Sequence, residues 1–441
     1  MRLAAPLLAA AIVVGTGVPA RAQPPEPAIH TGEAAPGLRA LRDGYIADHG
    51  DQPVVVVSVD GLKSTRPIVV EQWIDIHPGD MLSHCDLDGL YERINRLAIF
   101  SSVHIELEER DDGVAIRIQI DEKWTLYPVP IFWFFPGTEV AGLVLVEANA
   151  FGYNKGWALG GVYSNRGWYA IAGYIDPNIA FTNLWGRLEA FVGSGLIEND
   201  NVAGDAVQKY DDTRVDVQYA LGWTLWDRLS PTLTGALRTA KVDDIKIAGV
   251  DPPTDVTLIE QGVKLIYSDL RYRFYYDAGT RLSVELQHGF PIDGHTAAFN
   301  GLVADASIAL PVLDRTVVQA SFHSTYANFP VVIEDRLGGL DGSRTLPGGG
   351  LIAADKYVQG TLSYQVPIVS AGIGTLTGLV FGEIGSFGRN DEAQVLYGGP
   401  GAGLRFYLRQ VAIPAVGVDV GYELGSRQTS LSVVVGYRPT R

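Results

Sequence analysis

The chain has 441 residues, with 34 Lys and Arg against 50 Asp and Glu and a formal net charge of −16. With no basic run anywhere, that balance argues against nucleic acid or an anionic membrane surface as a partner, since both recruit clustered Lys and Arg. The single cysteine, Cys85, excludes an intramolecular disulfide framework, while 51 Gly, 20 Tyr and 15 Phe suit a large strand-rich architecture.

Residues 1–22 read as a signal peptide. Arg2 supplies the positive start, Leu3 to Val18 is apolar, and Ala20-Arg21-Ala22 is a small-x-small cleavage site. After it, no run of 18 apolar residues occurs, so any membrane crossing is made by strands. Residues 23–52 are rich in Pro, Ala, Gly and charge without a sustained apolar period and are expected to be a linker.

Residues 53–123 carry four clean patterns. Val54 to Val59 is a β-branched run, a buried strand between Pro53 and Gly61. Val69, Trp73 and Ile76 fall at i, i+4 and i+7, a short amphipathic helix ending at Pro78-Gly79. Asp86 can cap a second helix, in which Leu87, Leu90, Tyr91, Ile94 and Leu97 form a stripe. Two alternating strands follow, Val103 to Glu108 and Val114 to Ile120, joined by Asp111-Asp112-Gly113. The result is a small α+β domain, β-α-α-β-β, whose sheet edge could accept another strand.

From 124 to 441 the pattern changes to alternating segments of strand length separated by turn residues. Val215, Val217, Tyr219 and Leu221 alternate with Arg214, Asp216 and Gln218; Leu282, Val284 and Leu286 alternate with Ser283, Glu285 and Gln287. About 315 residues at roughly 20 per strand and connection give about sixteen strands, too many for an open twisted sheet. The expected fold is an all-β transmembrane barrel of antiparallel strands preceded by the small domain. Phe132-Trp133-Phe134-Phe135 and Trp168-Tyr169 fit interface girdles. The first strand is placed at Trp124 to Trp133, with Pro128 and Pro130 on one face. Each Pro removes a ladder donor, so the seam with the last strand should open most easily. A first strand starting near Val140, with both prolines in a connector, stays open as the alternative.

Gly61, Gly79, the Leu97-to-Val103 junction and the closing Asp121-Glu122 make the small domain resemble a POTRA domain, the polypeptide-transport-associated module. Several barrel segments resemble the Bam/Tam-type outer-membrane assembly-factor superfamily. Glu147 to Gly152 is similar to its early N-x-F-G strand entry, and Tyr174-Ile175-Asp176-Pro177 to the next turn. Leu337 to Arg344, with Gly338, Gly339 and Gly342, resembles the superfamily's inward-folded loop, although Thr345 and Leu346 replace its Gly and aromatic. Phe381-Gly382-Glu383-Ile384-Gly385 matches the F-x-D-x-G of the thirteenth strand with Glu for Asp. Gly401-Ala402-Gly403-Leu404-Arg405 matches the next strand's G-x-G-x-R, with Asp419 on the strand after.

The resemblance implies that Glu383 holds Arg344 inside the lumen, supported by Phe381, Gly385, Gly403 and Arg405. The residues alone also allow a solvated loop arginine and an unrelated wall carboxylate. It further implies a protein of the cell outer membrane, its small domain in the periplasm. The expected partners are unfolded or nascent outer-membrane or secreted polypeptides, outer-membrane lipid and accessory periplasmic proteins, acted on at the seam or in the lumen. A passive pore or structural barrel with an anchor domain is the alternative. No G-x-S-x-G, H-E-x-x-H or P-loop occurs, so neither an enzyme nor a cofactor is expected. His77, His84, Cys85 and His104 match no metal spacing, and Gly398-Gly399-Pro400-Gly401 reads as a turn.

Overall fold

The computed structural model describes residues 37–441 except 136–137, 202–204, 250, 295, 314–315, 338–342, 347–351, 390–393, 412–415 and 436–441. The expected signal peptide 1–22 lies outside these residues, as do Gly338, Gly339 and Gly342. The small domain runs α1 (Leu38–His49), β1 (Val54–Asp60), α2 (Ile68–Glu71), α3 (Leu87–Asn95), β2 (Phe100–Arg110) and β3 (Gly113–Glu122). Its sheet order is β1-β3-β2, with β1 parallel and β2 antiparallel to β3. Branched and aliphatic side chains of β1, β2, β3 and α3 form one core, including Val54, Leu90, Ile94, Ile116 and Ile118.

Two expectations need correction here. The linker assigned to 23–52 contains helix α1, whose Leu38, Tyr45 and Ile46 pack on the domain core. Its apolar stripe is broken by Gly44 and exposed Leu41, which hides the period, and Arg42 adds a hydrogen bond to the Cys85 carbonyl at 2.9 Å. The helix expected over 69–76 is a single turn. Arg93 Nε donates to the Trp73 carbonyl at 3.1 Å, and the chain leaves helical geometry there. Asp86 caps α3 as expected, accepting the Gly89 N–H at 3.0 Å.

The barrel strands are β4 (Leu126–Phe135), β5 (Thr138–Ala150), β6 (Lys155–Ser164), β7 (Gly167–Asp176), β8 (Leu184–Asp200), β9 (Ala206–Trp223), β10 (Leu229–Ile247) and β11 (Val256–Ser268). After the three-residue β12 (Arg271–Arg273) come β13 (Tyr276–Pro291), β14 (Phe299–Leu313) and β15 (Thr316–Ala327). A ribbon of β16 (Asp335–Leu337) and β17 (Ile352–Ala354) precedes β18 (Lys356–Ala371), β19 (Gly374–Gly388), β20 (Val395–Leu408), β21 (Val416–Glu423) and β22 (Gln428–Val435). Leaving out the short β12 and the ribbon, sixteen strands among the described residues form the wall, and β22 closes on β4. The Gly398-to-Gly401 run lies inside β20, not in a turn. Glycine there leaves room for inward side chains such as Phe381.

Burial decides between a membrane barrel and a soluble sandwich. Leu282, Val284 and Leu286 are 46, 50 and 63% exposed, while Ser283, Glu285 and Gln287 between them are buried. Apolar residues therefore face out and polar ones in, the inversion that lipid imposes. Along β4 to β8 the inner face is apolar instead, with Tyr127, Val129, Ile131, Val144 and Phe191 in one cluster. Trp168 is exposed as a girdle residue should be, but Tyr169 packs against that inner cluster and stacks on Phe191, because alternation sends it inward. The side chains of Phe132 to Phe135 lie outside the description.

The small domain touches the barrel at two turns. Asn149 Nδ2 donates to Thr65 Oγ1 at 2.9 Å, and the Arg66 N–H donates to the Gly152 carbonyl at 2.9 Å, both at the β5–β6 turn. At the β11–β13 turn, Arg273 forms a two-armed ion pair with Glu92 at 2.9 and 3.2 Å, and Lys123 reaches the Tyr272 hydroxyl at 3.1 Å. These turns lie six barrel strands apart, so the domain spans the barrel's proximal mouth.

Glu122 organises the first contact. Its carboxylate accepts the N–H groups of Lys63, Ser64 and Thr65 at 3.0, 2.9 and 2.8 Å. Burial pushes this carboxyl up, but those donors outweigh burial and hold it below the usual carboxylate range. Its contribution is thus present above the unfolded value near 4.3 and is lost as pH falls through the lower folded value. Glu122→Gln should weaken the docked loop by about 1 kcal/mol at neutral pH, read as faster hydrogen exchange at 63–65. Between about pH 5 and 3 wild type should lose protection there while the variant changes little; parallel acid profiles would contradict this.

Candidate functional site

Between β15 and β18, the described residues of the connection from 328 to 355 fold into the lumen. Phe329, Val332 and Ile333 pack on inward residues of the wall, among them Tyr210, Leu258 and Phe299. Leu337, Leu346, Ile352 and Ala354 pack on Phe387 and Tyr397. Between these apolar anchors sits a polar clasp.

Alternation along β19, β20 and β21 turns Phe381 and Glu383, Gly403 and Arg405, and Asp419 to the lumen, while Val380, Leu404, Val418 and Val420 face lipid. Glu383 meets the loop with both oxygens. Arg344 Nε donates at 3.2 Å to one; the Arg344 and Thr345 N–H groups donate to the other at 2.9 and 3.0 Å, joined by the Ser343 and Thr345 hydroxyls at 2.8 and 3.0 Å. The Arg344 guanidinium carbon lies 3.8 Å from the Phe381 ring centroid, a cation–π contact.

A second carboxylate completes the group. Asp419 receives both arms of Arg405 at 2.6 Å and Arg344 Nη1 at 3.4 Å. Two cations and two anions, with side chains at most 11% exposed, are thus neutral as a set. Close approach needs glycine at Gly403, where a β-carbon would lie 1.8 Å from Asp419 Oδ1, and at Gly421, where it would lie 2.2 Å from the Arg344 carbonyl. That carbonyl also accepts the Ser430 hydroxyl.

The structure therefore brings Arg344, Glu383, Phe381, Gly403 and Arg405 together. Gly385 stands one alternation step beyond Glu383, where a β-carbon would meet Tyr397. Sequence reasoning placed Asp419 on the right strand but missed its role between two arginines, and it missed Ser343, Thr345, Gly421 and Ser430. The available signal was the period-two spacing of Asp419 and Gly421 between exposed valines. Pro128 and Pro130 do lie in the first strand, paired with Leu145 and Leu143 of β5. The Thr125 carbonyl accepts from Ala148 N–H on the β5 side, whereas the Trp124 N–H points to the Gln410 carbonyl. By alternation residues 128 and 130 share the side of Trp124, so both missing donors face β22.

Arg344→Ala or Glu383→Ala should each loosen the loop by about 3–5 kcal/mol, because the surviving buried charge loses its partner. Hydrogen exchange at residues 343–346 measures it. The double variant should cost clearly less than the sum; additive losses would show that the two residues do not couple.

No family model matches the chain. Among curated proteins, the outer membrane protein assembly factor BamA of Nitratidesulfovibrio vulgaris is 27% identical over 158 residues, 34% of this chain and 20% of that protein. The fold resembles CdiB from Escherichia coli with a TM-score of 0.59 at 17% identity, covering 84% of this chain and 72% of that one. It also resembles BamA from Haemophilus ducreyi lacking POTRA domains 1–3, with a TM-score of 0.52 at 14% identity over 86% and 83%. The chain is thus similar in part of its sequence to an outer membrane protein assembly factor, of whose length it spans about a fifth, and its fold is that of the BamA and CdiB barrels.

Proposed function

We propose that this protein handles unfolded outer-membrane or secreted polypeptides, with a POTRA-like domain in the periplasm and a barrel that acts at its seam. The observation that carries the reading is the contrast between a filled lumen and a weakened seam. Distally the long loop is clasped by Arg344 and Glu383. Proximally the β11–β13 turn places Tyr275 and Tyr276 against Tyr407, and the small domain spans the mouth. At the seam, Pro128 and Pro130 take two donors from the ladder between β4 and β22. A carbonyl facing them in hydrocarbon has no water to bind, so a client strand can pair there at less cost than anywhere else in the wall.

In the small domain, β1 and β2 are the sheet edges, and strand addition to one of them gives affinity without demanding a client sequence. Central β3 is paired on both sides and offers no edge. The chemistry asked of the protein is strand exchange alone, with no covalent step and no cofactor. The passive pore is the competing reading, and the filled lumen speaks against it.

Cysteines placed in β4 at Leu126 or Val129 and in β22 at Val433 or Val435, in a Cys85→Ser background, test the seam. Cross-linking should abolish assembly of client proteins in cells, and reductant should restore it. Efficient cross-linking with normal client levels, or a wide steady conductance from purified protein in planar bilayers, would overturn the reading.

A further inference from the structure

One patch beside the small domain is unexplained by protein handling. At the proximal rim, the β5–β6 turn exposes Phe151 at 85% and Tyr153 at 38%, and the β7–β8 connection exposes Phe181 at 43%. The Tyr153 and Phe181 rings are 6.0 Å apart, and the Arg66 guanidinium carbon is 5.9 Å from the Tyr153 centroid. The rings continue a lipid-facing wall that includes Leu159, Tyr174 and Leu188, so they sit at the level where aromatic residues meet headgroups.

The small-domain segment 63–68 is fixed at that level. Arg66 is tied to Gly152 by its backbone, and Glu122 holds the N–H groups of 63–65. Lys63 and Arg66 are exposed, as is Ile68 at 40%. Among the described residues, neither cation has a carboxylate within salt-bridge distance. Of the nearby acids, Asp60 is paired with Arg117 at 2.7 Å, the Glu122 carboxylate is committed to backbone donors, and Glu71 lies five residues beyond Arg66. The whole chain carries −16, but charge within a Debye length of the headgroups decides a surface contact.

We propose that segment 63–68 and the turn 151–153 form a lipid-binding foot. Phe151 and Ile68 enter the boundary between headgroups and acyl chains. Lys63 and Arg66 take the phosphate of a phospholipid in the leaflet that faces the small domain. The inference rests on the barrel's orientation toward lipid and not on its clients.

A spin label at Ile68→Cys, in a Cys85→Ser background, tests it in nanodiscs containing phosphatidylglycerol, with a label at Glu109→Cys as the aqueous reference. The Ile68 label should be relaxed by oxygen more than by a water-soluble nickel chelate, and the Glu109 label the reverse. Lys63→Glu with Arg66→Glu should lower phosphatidylglycerol retained in native mass spectrometry by about fivefold or more, while heat-modifiable mobility on gels shows an intact barrel. A nickel response at Ile68 equal to that at Glu109, or unchanged lipid retention in the variant, would overturn the proposal.

Discussion

A sheet closed inside hydrocarbon leaves every backbone N–H and C=O only a neighbouring strand as partner, and the rest of this structure depends on that constraint. It forces sixteen strands to circle back on themselves and puts Leu, Val and Tyr on the outside. It also means that a donor missing from any ladder, such as the closure of β22 on β4, has no water to replace it. The two prolines of β4 are tolerated because their imide nitrogens point to that closure and leave the β4–β5 register whole.

Inside the wall the physics runs the other way, since a buried charge must be answered locally. Glu383 is answered by a loop that brings one guanidinium, two hydroxyls and two backbone donors to it. Asp419 is answered from its own sheet by Arg405 and from the loop by Arg344. The loop is thereby held by polar geometry at its tip and by apolar packing at its two shoulders. Losing either kind of anchor leaves the other in place, so the loop is specified in position without depending on one contact.

Much of this is legible in the sequence. Alternation marked the strands without telling a barrel from a sandwich, and the number of strands that the length holds pointed to the barrel. The Glu383, Arg405 and Asp419 segments fall on consecutive strands because turn residues mark the boundaries clearly. The α1 helix escaped because only Leu38, Tyr45 and Ile46 of its face meet the core, too few to make a period. Tyr169 was misassigned because an aromatic pair such as Trp168-Tyr169 must send one ring to each face, which cluster counting ignores. Contacts between the small domain and the turns were invisible, since Glu92 and Arg273 are ordinary surface charges until the fold sets them side by side.

The two attachments of the small domain have a mechanical consequence. They grip turns six strands apart on a ring whose circumference is fixed by strand number. If a strand is added at the closure, the ring widens and the chord between those turns lengthens. A rigid domain bridging the chord cannot follow, so tension appears at the Glu92–Arg273 pair and at the Thr65–Asn149 bond. Under the proposed strand addition, the barrel's perimeter would thereby be coupled to the docking of the domain at its mouth.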